Sequence, residues 1–72
     1  MAKPFSTEEK DNIQQVILEK SKALFVQYGF EKITINEITQ EANIGKGTFY
    51  NFYNSKGELF VDIYSREWSK LQ

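Results

Sequence analysis

Residues 34–56 read TINEITQEANIGKGTFYNFYNSK. Thr34 followed three residues later by Glu37 is a capping box, which starts a helix by satisfying two orphan amides at once. Ile33 and Ile38 flank that start where a hydrophobic staple closes. Ile35, Ile38 and Ala42 then recur at helical spacing. Asn43 tolerates the left-handed conformation that ends a helix, and Ile44 is placed to tuck back onto it. Gly45 opens a second helix, Lys46 to about Tyr53. That helix is too short to stand alone. Phe49 and Tyr53 face inward on it, and Tyr50 and Asn51 point elsewhere. The stretch predicts a helix-turn-helix, whose second helix enters the DNA major groove. Spacing alone fits equally well a plain packing unit of a small helical bundle.

Outward from this stretch, Ser6 and Glu9 form another capping box, which places a helix start near Thr7. Acidic Glu8, Glu9 and Asp11 suit that helix end. Ile13, Ile17, Leu24 and Tyr28, widened by Leu18 and Phe25, predict one amphipathic helix of about six turns. Gly29 is expected to end it in the left-handed conformation, with Phe30 folding back on Phe25. Downstream, Ser55 and Glu58 predict a third capping box. The stripe Leu59, Phe60, Ile63, Tyr64, Trp68, Leu71 follows without a stop signal. We therefore expect residues 55–72 to begin a fourth helix that continues past Gln72. The fold class is all-α: a three-helix bundle with a helix-turn-helix, plus the start of a connecting fourth helix. Residues 1–5 read as a loose arm because Pro4 disfavours helix at Lys3, and residues 6–54 as the domain proper.

Composition narrows the function. Seventy-two residues allow one domain and one small core. The chain has neither Cys nor His. It therefore carries no disulfide or thiolate metal site, and it lacks the commonest general base. No phosphate loop follows a strand, so no catalytic constellation, metal site or cofactor is expected. No apolar run approaches the roughly 20 residues of a membrane span, and no signal peptide is visible. The expected setting is cytoplasmic. Net charge is −1 and the pI about 5.3, whereas DNA-binding domains are usually basic. The distribution offsets this: no acid lies between Glu41 and Glu58, a window holding Lys46, Lys56, Phe49, Tyr50, Phe52 and Tyr53. An acidic helical protein–protein interaction module is the alternative that the charge favours.

Residues 13–64, and above all Gly47-Thr48-Phe49-Tyr50, Phe52-Tyr53 and Ser55-Lys56 after Leu24-Phe25, Gly29-Phe30 and Thr34, resemble the N-terminal DNA-binding domain of TetR/AcrR-type bacterial transcriptional regulators. The resemblance implies DNA contacts by Thr34, Gly45, Lys46, Gly47, Thr48, Tyr50, Asn51 and Lys56. In it, the Thr34 cap, Tyr50 and Lys56 meet phosphates, and small residues at 45 and 47 let the backbone approach. Lys46, Thr48 and Asn51 are left for base edges. It further implies a double-stranded DNA operator, a homodimer formed through a further C-terminal domain, and a small-molecule effector bound by that domain and releasing a repressor. The sequence departs from the family pattern at Gly45 (often Ser), Asn43 (commonly Gly), Lys20 and Ser21 (a frequent Ala pair), Asn54 (Pro) and Gly57 (Glu or Asp). None removes the core motif.

Overall fold

The computed structural model describes residues 7–70. The expected arm, the Ser6 cap and the Trp68–Leu71 end of the apolar stripe fall outside the described residues and side chains. Helix α1 spans Thr7–Tyr28, a 3-10 turn Phe30–Lys32, α2 Ile35–Ala42, α3 Lys46–Phe52 and α4 Lys56–Lys70. The all-α expectation holds.

Among the described residues each helix contributes one apolar side chain with no exposed surface: Ile17 from α1, Ile38 from α2, Phe49 from α3 and Leu59 from α4. Leu18, Phe25, Ile33, Ala42, Tyr53 and Ile63 complete the buried core around them. The seven-residue α3 is thus held from outside by Phe49 and Tyr53, as its length requires. Ser21, which stands where the family pattern frequently has alanine, is fully buried. Its hydroxyl donates within its own helix, 2.6 Å from the Ile17 carbonyl, so the polar group is satisfied.

The local signals between α2 and α3 fold as read. The Thr34 hydroxyl accepts from the Glu37 N–H at 3.2 Å, and the Glu37 carboxylate accepts from the Thr34 N–H at 2.9 Å. Asn43 is left-handed at φ 58°, ψ 46°. The Asn43 N–H reaches the Gln40 carbonyl and the Ile44 N–H the Thr39 carbonyl, a Schellman closure. Ile44 packs against the core as expected.

Three details differ. Tyr28 is 52% exposed rather than part of the buried stripe. The buried face of α1 is Ile17, Leu18, Ser21 and Phe25. Beyond it Tyr28 lines an open groove with polar Lys32, Glu37, Gln40 and Glu41. Gly29 has φ 95° but ψ 148°, outside the left-handed helical region and in one that essentially only glycine occupies. The chain therefore leaves α1 extended before turning. The expected contact survives, with the Phe25 and Phe30 ring centroids 5.5 Å apart. At the start of α4 the Ser55 hydroxyl accepts from the Glu58 N–H at 3.1 Å, but the Glu58 carboxylate goes to the Asn54 N–H at 3.1 Å rather than back to Ser55. A proline at 54 has no such donor.

Candidate nucleic-acid interface

Successive residues on an α-helix advance by about 100°. With Phe49 pointing into the core, Gly47 and Asn51 lie on the opposite side of α3, flanked by Tyr50 and Thr48. The observed burial agrees: Gly45, Lys46, Gly47, Tyr50 and Asn51 are exposed, Thr48 and Phe52 half-buried, Phe49 buried. Phe52 packs against the core. Tyr50 is braced by an edge-on contact with Phe49, ring centroids 5.5 Å apart and planes 88° to each other. Tyr50 stays 49% exposed.

One open groove is lined by Thr34, Lys46, Tyr50 and Lys56, together with Glu31 and Asn36. Four of the residues singled out from sequence, drawn from the start of α2, α3 and the start of α4, are thus brought together. Thr48 is placed differently, in a neighbouring groove with Asn12, Ile13, Val16, Asn43 and Ile44 between α1 and the turn. Asn36 and Glu31 escaped the sequence reading. Asn36 is two residues after the α2 cap and was legible as a first-turn polar side chain. Glu31 carries no local signal, since only the 3-10 turn swings it toward Lys46 and Lys56.

Two hydrogen-bonding patterns limit what the groove offers an anion. The Thr34 hydroxyl also donates to Glu37 Oε1 at 3.2 Å, so both its amide and its hydroxyl face the Glu37 carboxylate. The first-turn amides of Ile35 and Asn36 have no intrahelical acceptor, as in any α-helix. Lys56 Nζ donates to the Phe30 carbonyl at 2.7 Å and lies 4.2 Å from the centroid of the Phe30 ring. A lysine in a helix's first turn opposes the helix dipole; here a carbonyl and a ring face offset that cost.

Gly45 is the N-cap of α3, a position that glycine suits better than alanine, whereas Gly47, inside the helix, has no such reason to be glycine. Neither has positive φ, and a Cβ built at either meets nothing within 4 Å. Glycine inside a helix costs roughly 0.5–1 kcal/mol relative to alanine. The fold bears this cost at Gly47, on an exposed face of α3, which is accounted for if something outside the chain must come close there.

A profile of the bacterial regulatory proteins of the tetR family matches residues 17–63, more than half of the chain. The chain belongs to the tetR family of bacterial regulatory proteins. The tetR-family match contains α2, α3 and the groove described above. Among curated relatives, the chain is 38% identical over 52 residues to an uncharacterized HTH-type transcriptional regulator, YhgD, of Bacillus subtilis, covering 72% of this chain and 27% of that protein. It is 34% identical over 61 residues to the HTH-type transcriptional regulator QacR of Staphylococcus aureus, covering 85% and 32%. It is 33% identical over 54 residues to a probable acrEF/envCD operon repressor of Escherichia coli, covering 75% and 24%. The chain thus spans about a quarter to a third of the length of these relatives. No solved structure gives a significant match. Among the described residues no helix is long and apolar enough to cross a membrane, and no group of His, Cys, Asp and Glu is placed to hold a metal.

Proposed function

We propose that this tetR-family chain is the operator-reading end of a bacterial transcriptional repressor, with α3 seated in the major groove of double-stranded DNA. The observation that carries this reading is the convergence of Thr34, Lys46, Tyr50 and Lys56 on one groove beside the unfilled Gly45–Gly47 face of α3. In this reading a phosphate lies against the first turn of α2 and the Tyr50 hydroxyl, which set orientation without reading sequence. Gly45 and Gly47 admit the DNA backbone. Lys46 and Asn51 reach base edges as donors to guanine and partners to adenine, and Thr48 lies at the groove margin toward α1. The names of relatives such as the probable acrEF/envCD operon repressor support a repressor's role. A homodimer, assembled through a further domain that also binds a small effector, places two copies of α3 in successive major grooves about 34 Å apart. The effector acts by shifting α4 and so the spacing of the pair.

The test is a fluorescence-anisotropy titration of the chain with nonspecific duplex DNA at several salt concentrations. Binding should weaken as salt rises, because phosphates neutralised by the protein release counterions. Absence of binding at low salt, both for the chain alone and for the chain fused to a dimerising partner, refutes the reading.

A further inference from the structure

The resemblance assigns Lys56 to a DNA phosphate, yet its ammonium already has an occupant. Phe30, in the 3-10 turn, is clasped from three sides. Its ring centroid lies 5.5 Å from that of Phe25 on α1 and 4.7 Å from that of Phe60 on α4. The third side is Lys56, with Nζ 4.2 Å from the ring centroid and 2.7 Å from the carbonyl oxygen of the same residue. Two of the three contacts come from α4. Four residues later the chain reaches Thr34, after Ile33, which is only 2% exposed. The segment that presents the first turn of α2 to the groove is therefore pinned at both ends, and one pin is a lysine of α4. An ammonium that swung out to a phosphate would desert the Phe30 carbonyl and the face of its ring.

We propose that Lys56 is a positioning residue. It latches α4 onto the 3-10 turn at Phe30, so that the placement of Thr34 and the first turn of α2 follows α4. The inference rests on the reading of that turn as a phosphate-facing element, and it gives α4 a physical hold on the DNA-contacting groove other than through α3. Movement of α4 carries Lys56 and Phe60, these carry Phe30, and the Glu31–Thr34 segment follows.

Two measurements on the 72-residue chain test the latch, with Lys56→Met as the variant because it keeps an unbranched apolar stem against the Phe30 ring. The first needs no DNA. Amide hydrogen exchange should accelerate about tenfold at Lys32, whose N–H faces the Gly29 carbonyl, and at Glu37, whose N–H faces the Thr34 hydroxyl. The Tyr53 amide, bonded to the Phe49 carbonyl, should be unchanged and serves as the control for global loosening. Unchanged exchange at Lys32 and Glu37 overturns the latch. The second is the salt titration above. Lys56→Met should weaken duplex binding about threefold to tenfold while leaving the log–log slope as in the wild type, because a positioning residue releases no counterion of its own. A slope shallower by about 0.9 would make Lys56 a direct phosphate contact and overturn the proposal. If the wild type binds no DNA either alone or fused to a dimerising partner, the operator-reading function fails, and the exchange measurement still decides the latch.

Discussion

Replacing Gly47 by alanine should move stability and DNA affinity in opposite directions. Gly47 is in α3, its φ is negative, and an added Cβ meets no atom of the protein within 4 Å. The folded state therefore loses nothing by the change and gains the helix propensity of alanine, about 0.5–1 kcal/mol. For a domain of this size that corresponds to a rise in Tm of roughly 2–8 °C. In the DNA complex the same methyl stands on the outward face of α3, between the helix backbone and the groove it enters. Forcing an extra carbon into a packed contact costs about 1–3 kcal/mol, a loss of fivefold or more in Kd. Thermal unfolding followed by circular dichroism gives the first quantity and anisotropy with duplex DNA the second. Gly57→Ala is the matched control. It lies in the first turn of α4, an added Cβ there meets only Ser55 Oγ at 3.7 Å, and it lines a different surface, with Phe52, Val61 and Asp62. It should stabilise without weakening binding. The reasoning is refuted if Gly47→Ala binds duplex DNA as tightly as the wild type, or if it lowers Tm.

Phe49→Ala empties the one aromatic position among the described residues with no exposed surface and should cost about 3–5 kcal/mol, most of the stability of a domain this small; urea denaturation should find the variant largely unfolded in water. Burial, and then the 2.6 Å hydrogen bond its hydroxyl donates to Asp62, push the Tyr53 phenol up from its ordinary 10 to about 12, against a smaller opposing effect of the Gln14 amide donating to the same oxygen. Because the folded state holds the proton more tightly than the unfolded one, this contribution is whole below pH 10 and is lost as pH rises from about 10 toward about 12. Urea midpoints across that range should fall more steeply for the wild type than for Tyr53→Phe, and equal slopes would remove Tyr53 from the account.

What the sequence by itself determined was most of what is decided within three or four residues of a position, the extended Gly29 and the Glu58 carboxylate turned to Asn54 being the exceptions. The Thr34–Glu37 box, the left-handed Asn43 with Ile44 closing behind it, and the inward Phe49 and Tyr53 all follow from groups that a single turn brings into reach. The resemblance carried by the same stretch named the family. Tertiary structure decided the rest. Tyr28 belongs to the apolar period of α1, yet it is exposed because at that end it faces an open groove lined largely by polar side chains of the 3-10 turn and α2. Lys56 meets a carbonyl 26 residues away, and Gln14 meets Tyr53 across 39. Such contacts depend on how helices cross, and crossing is set by the joint packing of Ile17, Ile38, Phe49 and Leu59 rather than by any local signal. The gathering of Thr34, Lys46, Tyr50 and Lys56 on one groove, the exclusion of Thr48 from it and the arrival of Glu31 beside it have that same origin. Side chains far apart in the chain acquire a common surface only once the core beneath them has closed.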